Sequence, residues 1–391
     1  MIDTPLNLRE VGRLRVLQAL HDAESTSRSE LAQVTGLSRA TVSSLVTDLL
    51  AAGLVEENEP DAQSRPTGRP ALPLTLRASA AYAVGTDIGH QHVRVALCDL
   101  RGTPIWNTAV ATEVDRAPGE TLDLAADLIG RALREKNTDR KRVLGLGVDI
   151  AAPVREPGGV LEAHGIMPGW VGVQPGAELE RRTGLTTRLA NDADAGALAE
   201  RRYGAGRSAD DMIYVRLSAG IGAGIITGGR RLNGSGGLAG EIGHIQATPR
   251  GRICRCGNRG CLETVASPVS IARLLQSSWG HPVAVADLLR LVEAGNRGAV
   301  RALEDAAEEI GRVLAHLVTL LNPELIVIGG DLAAAGERLF EPIGRSIRHY
   351  ALAPSGECVR IVGGELGDHA EVLGAAGMVL TEAPRLLAAA R

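Results

Sequence analysis

No apolar run in this chain of 391 residues reaches the roughly 20 needed to cross a bilayer, so no membrane partner is expected. The opening stretch, MIDTPLNLREVGRLRV, has none of the continuous apolar core of a secretory leader, and a cytoplasmic protein is expected. Cysteine is scarce and odd in number: Cys98, Cys254, Cys256, Cys261 and Cys358. Such a set does not read as a disulfide framework. Three thiols packed between positions 254 and 261 point instead to a metal site in a reducing compartment. Lysine is nearly missing, with only Lys136 and Lys141, so arginine carries the positive charge. The formal net charge of −4 excludes a generally basic protein and gives no global sign of a nucleic-acid partner. No tandem repeat of fixed period is visible, and the likeness of VGTDIG to VRLSAGIGAG reads as a shared turn type.

What is present is a globular composition, 45% hydrophobic and 23% charged, on a chain long enough for two or three domains. Residues 1 to about 57 read as short helices. Residues 58–70, NEPDAQSRPTGRP, are polar, hold Pro and Gly and have no apolar period, so they read as a linker. From about Ala80 onward, strand-like runs such as AYAVGTDIG, HVRVALCDL, VLGLGVDIA and PELIVIGG alternate with helical stretches. That alternation predicts an α/β architecture. One helix is predicted over Gly298–Leu321, ended by Asn322-Pro323 ahead of a strand at Leu325–Ile328.

The N-terminal segment carries a helix-turn-helix pattern. Leu31, Ala32 and Val34 supply an apolar face for a first helix, Gly36 suits a turn needing positive φ, and Ser38 suits the N-cap of a second helix. There Val42, Leu45, Val46, Leu49 and Leu50 face inward, leaving Arg39, Thr41, Ser43 and Ser44 to meet base edges in a major groove. An upstream helix, Val11 to His21, completes a three-helix unit. A wing strand starts at Leu54-Val55, and Leu72–Leu76 is its candidate return strand. Any small three-helix bundle shows the same spacing, and residues 1–77 hold eight Arg against ten Asp plus Glu. Operator DNA would therefore have to be held by a local basic surface of Arg28, Arg39, Arg65 and Arg69. Gly68-Arg69-Pro70 suits insertion into a narrow minor groove, or is a solvated linker.

His244, Cys254, Cys256 and Cys261 form H-x9-C-x-C-x4-C. Three thiolates and an imidazole match tetrahedral zinc, one structural ion per chain with no open position. The alternatives are unrelated buried thiols or a redox switch.

Four stretches in order resemble the ROK family (repressors, open reading frames and kinases): Gly85-Thr86-Asp87-Ile88-Gly89; Ala190-Asn191-Asp192-Ala193-Asp194; Ser218 to Gly224; and Glu241-Ile242-Gly243-His244 followed by CRCGNRGCLE. The resemblance spans essentially the whole chain. It implies a winged helix-turn-helix over 1–77, then a two-lobed actin/hexokinase-like (ribonuclease H-like) domain over 78–391. Lobe 1 would take about 78–190 plus a C-terminal helix at about 370–391, and lobe 2 about 191–369 with the zinc loop 244–261. It also implies that Asn191, Asp192, Glu241, His244 and Glu263 bind a sugar or sugar-phosphate effector, with Asp192 in the place of the kinase base. His244 would then serve metal and sugar through its two ring nitrogens. Read without the resemblance, Asp192 and Glu241 would be surface or capping carboxylates.

The phosphate loops depart from the family's kinases. Where those read D-x-G-G-T-K, this chain has Asp87-Ile88-Gly89-His90-Gln91-His92, and Ser218-Ala219-Gly220-Ile221-Gly222 stands for G-T-G-I-G. His90 and Gln91 are expected to fill space that phosphates need, so ATP is not expected to bind and no catalytic residue is assigned. Gly165 lies near where an Asn is usual. The expectation is a repressor, acting as a homodimer or homotetramer on a roughly palindromic operator. The rivals are an ATP-dependent hexose kinase with an accessory DNA-binding domain and a scaffold regulated by a protein partner.

Overall fold

The computed structural model describes residues 7–23, 25–58, 72–155, 158–161 and 165–389. Three helices open it, each started by a side-chain cap that satisfies backbone N–H groups left without an intrahelical partner. Asn7 caps α1 (Leu8–Asp22), and Ser27 caps α2 (Arg28–Thr35), each reciprocated by a glutamate three residues on. Gly36 ends α2 at φ 69, a conformation that a Cβ would oppose. Ser38 then caps α3 (Arg39–Ala51) by accepting from the Thr41 N–H at 3.1 Å. Val16, Leu17, Leu20, Leu31, Val42, Leu45, Val46 and Leu49 are buried between these helices. The wing strands β1 (Val55–Glu57) and β2 (Leu74–Leu76) pair antiparallel, so the return strand starts two residues later than expected. Arg65, Arg69 and the Gly-Arg-Pro turn lie outside the described residues.

The remainder holds two five-stranded sheets. The first contains β3 (Tyr82–Ile88), β4 (His92–Asp99) and β5 (Pro104–Ala111). After α4 (Pro118–Glu135) come β6 (Val143–Ile150), a short hairpin of β7 (Val154–Arg155) and β8 (Val160–Leu161), α5 (Pro175–Thr183) and β9 (Thr187–Asn191). Its strand order is β5-β4-β3-β6-β9, a meander followed by two parallel strands. Then α6 (Asp192–Tyr203) leads to β10 (Met212–Leu217), β11 (Ile221–Thr227) and β12 (Arg230–Arg231). Helices α7 (Glu263–Ala266), α8 (Pro268–Trp279), α9 (Val285–Glu293) and α10 (Arg297–Leu321) precede β13 (Leu325–Gly329). Next are α11 (Glu337–Tyr350), α12 (Ala353–Cys358) and β14 (Arg360–Gly363). The second sheet runs β12-β11-β10-β13-β14, again a meander followed by two parallel strands. VGTDIG and VRLSAGIGAG thus occupy equivalent first hairpins of two like-ordered sheets, which is more than a shared turn.

Two final helices, α13 (Ala370–Thr381) and α14 (Ala383–Ala389), return to the first sheet and to the reader. A Cβ at Gly85 would lie 2.1 Å from the Val372 carbonyl oxygen, and one at Gly147 would lie 1.8 Å from that of Ala375, so bare strand backbone seats α13. Gly367–Ala389 is long and apolar enough to cross a bilayer, but 67% of its most apolar window is buried, as befits a core helix. One continuous cluster joins Val16, Leu17 and Leu20 of α1 to Leu380, Ala383 and Leu387. The reader therefore shares a core with the first sheet's helices.

Candidate functional site

β9 ends at Asn191, which caps α6 by accepting from the Ala193 N–H at 2.9 Å and donates its amide to the Ala152 carbonyl at 3.2 Å. Asp192 follows at the positive end of the helix dipole. Glu241 precedes the turn Ile242–His244, and Glu263 opens α7. These four residues and His244 all line one cavity of about 40 Å³. Burial, followed by the nearby charges of Asp192, Asp194 and Glu263, pushes the Glu241 carboxyl up to about 7. Near neutral pH it can therefore donate as well as accept a hydrogen bond, which suits a hydroxyl-rich ligand.

Arg255 was not foreseen there. Its Nε and Nη2 bind Glu263 Oε1 and Oε2 at 2.8 and 2.9 Å. A Cβ at position 165 would lie 2.0 Å from the Arg255 carbonyl oxygen, so the glycine that stands near the family's usual Asn makes room for this segment.

His244, Cys254, Cys256 and Cys261 converge so that their ligand atoms all lie within 4.8 Å of one another. Cys254 Sγ to His244 Nδ1 measures 3.6 Å, and Cys256 Sγ to Cys261 Sγ measures 3.7 Å. Tetrahedral ligation with metal–sulfur bonds of about 2.3 Å calls for edges of about 3.8 Å. Burial pushes the Cys254 thiol up and that of Cys261 to about 12, so several thiolates together need a cation. The donor set fits a metal ion. His244 Nε2 faces Glu241 Oε2 at 3.9 Å, so one ring spans cluster and cavity.

Beyond Arg216, which lines both, lies a cleft of about 780 Å³, with Gly329, Gly330, Gly363 and Phe340 in its wall. His90, expected to block this side, instead lines the smaller cavity, with Nδ1 2.7 Å from Asp115 Oδ1. The groups that fill the cleft floor are others. His92 Nε2 bonds Asp87 Oδ2 at 2.8 Å; that bond raises the imidazole pKa, and against the opposing effect of burial it holds the Asp87 carboxyl low. Arg216, the lone charge in the apolar strand MIYVRL, reaches Asp192 Oδ2 at 3.1 Å and Glu371 Oε1 at 2.9 Å. Burial alone would lower the Arg216 pKa, but Asp192 and Glu371 outweigh it and hold it well above normal. Burial and then Asp87 push Asp149 well up. Arg216 and Glu371 escaped notice because they are 155 positions apart, although a buried charge in an apolar strand is itself a signal.

On the reader, Ser38, Arg39, Thr41, Ser43 and Ser44 are all exposed on one end of α3. Arg28 sits at the start of α2, where its guanidinium pairs with Glu57 of the wing at 2.9 Å. That pairing compensates much of the charge it was expected to offer DNA.

The family model described as ROK family matches residues 83–382, and one described as MarR family matches residues 7–65. The chain belongs to the ROK family. A putative xylose repressor of Caldicellulosiruptor sp. (strain Rt8B.4) is 29% identical over 389 residues, covering 96% of each chain. A glucokinase of Thermotoga maritima is 31% identical over 311 residues, covering 76% of this chain and 96% of that one. A crystal structure described as a ROK family transcriptional regulator, homologous to the E. coli Mlc protein, superposes with a TM-score of 0.81 at 28% identity, over 97% of this chain and 98% of that one. The regulators match reader and ROK domain together, whereas the kinase matches nearly its whole length with three quarters of this chain. The α/β, winged-helix and two-lobed expectations stand.

Proposed function

We propose that this ROK protein is a transcriptional repressor of carbohydrate metabolism that binds a sugar in a kinase-like site and does not phosphorylate it. The observation that carries the reading is the Arg216–Asp192 ion pair. A kinase base must be free to reach a hydroxyl proton, whereas Asp192 Oδ2 is already engaged by the Arg216 guanidinium at 3.1 Å. The same carboxylate still accepts a hydrogen bond from a sugar hydroxyl. Asn191, Asp192, Glu241, His244 and Glu263 are the effector ligands. The effector is a pentose or hexose, in line with relatives named xylose repressors.

His244, Cys254, Cys256 and Cys261 would hold zinc, which would supply rigidity and no chemistry. The His244 ring would be fixed there with its Nε2 toward Glu241 and the sugar cavity. Ser38, Arg39, Thr41, Ser43 and Ser44 meet the operator, and a homodimer sets two readers on successive major grooves. The division is a reader over 1–77 and a ROK domain over 78–391, and the protein works in the cytoplasm. The open 780 Å³ cleft favours a second reading, a hexose kinase with an accessory DNA-binding domain.

Thermal melting of the full chain against a sugar panel, with and without Mg-ATP, tests this. The expected result is a sugar that raises Tm equally in both conditions and leaves no phosphorylated product. Steady conversion of ATP and sugar to sugar phosphate would overturn it.

A further inference from the structure

The helices α6 and α13 lie back to back between the two sheets. α6 rests on β10 and β11, and α13 rests on β3 and β6. Their contact is backbone-close: a Cβ at Gly374 would lie 1.8 Å from the Ala195 carbonyl oxygen. Any sliding of one sheet against the other is a sliding of these two helices.

At one end of the pair, Arg216 of β10 grips both helices. It binds Asp192 at the start of α6 and Glu371 in the first turn of α13, while the Tyr214 hydroxyl donates to Glu371 at 3.1 Å. At the other end both helices meet the same element of the reader. α13 continues into α14, whose Ala383, Leu387 and Ala388 are buried with Val16, Leu17 and Leu20 of α1. α6 ends near Arg202, whose guanidinium donates to His21 Nε2 on α1. His21 is suited to accept: burial and then the Arg202 charge hold its pKa down, and its Nδ1 faces Asp22 Oδ1 at 3.3 Å. Helix α1 thus meets α14 through Val16, Leu17 and Leu20 and meets α6 through His21, one turn beyond Leu17.

We propose that Arg202 and His21 form the contact through which effector binding at Asp192 reaches the DNA reader. The inference rests on the repressor reading above. A sugar hydroxyl accepted by Asp192 competes with Arg216 for one carboxylate, which changes how Arg216 divides its hold between α6 and α13. α6 is stiff over the roughly 15 Å from Asp192 to Arg202. A shift at its first turn therefore arrives at His21, while α14 holds Val16, Leu17 and Leu20 of the same helix. Arg202 is a positioning residue, touching neither sugar nor DNA.

The test uses the full chain and a DNA duplex that the wild type selects from a random library, with D-xylose and D-glucose as probes. Two variants are compared, Arg202→Ala and His21→Leu, one on each side of the contact. Both are expected to keep sugar affinity and sugar-free duplex affinity within about threefold of wild type. The sugar-induced change in duplex affinity, tenfold or more in wild type, is expected to fall below threefold. Should either variant misfold, the other decides. A variant that folds and keeps the wild-type sugar response overturns the inference alone. A wild type whose duplex affinity neither sugar alters overturns the repressor reading beneath it.

Discussion

Arg216 is the residue on which the chemistry turns. A buried arginine with two carboxylate partners is tolerated because each charge compensates the others, and removing it leaves Asp192 and Glu371 facing each other uncompensated. Arg216→Ala is expected to lower unfolding stability by about 3–5 kcal/mol, read from urea denaturation. A loss under about 1 kcal/mol would show that the pair contributes little. The sequence made the candidate ligands legible: Asn191, Asp192, Glu241, His244 and Glu263 sit in short motifs whose order is itself informative, and all five line one cavity. It misassigned the blocking group. His90 was expected in the phosphate space, yet it bonds Asp115 and lines the smaller cavity, and His92 and Arg216 line the larger cleft. Local spacing does not show which way a side chain turns at a hairpin.

At the scale of elements, caps and turns were the most legible. Ser38 and Gly36 act within a few residues of themselves, so the helix-turn-helix could be read directly. The metal loop was legible for a similar reason, its ligands falling within eighteen positions. Three thiols and an imidazole gathered within reach of one ion would, with metal bound, be the loop's main constraint, since Ile253 is 70% exposed. Treatment with a strong chelator is expected to release one zinc per chain and to abolish the sugar-dependent rise in Tm, while the reader keeps its helical signal. A stripped protein that melts and binds sugar as before would contradict the assignment. What spacing could not reveal was the antiparallel-then-parallel order common to both sheets, because the two halves share topology with little shared sequence.

At the scale of the molecule, residues 58–70 read as a linker, and nothing in the sequence told how reader and sensor pack together. The described residues show that they share a core. Leu380, Ala383 and Leu387 are buried in the same cluster as Val16, Leu17 and Leu20, more than 350 positions away along the chain, a distance no local pattern reports. A reader that shares a core with its sensor cannot ignore a shift in it. Sugar site and reader are thus proposed to be coupled without catalysis. The most direct test is the affinity of the full chain for its selected DNA duplex, titrated with sugar in the complete absence of nucleotide. The expected result is at least a tenfold change in duplex affinity, equal to about 1.4 kcal/mol, saturating at the concentration that saturates the Tm shift. A duplex affinity that stays constant with sugar alone, and moves only when ATP is added and consumed, would contradict the account.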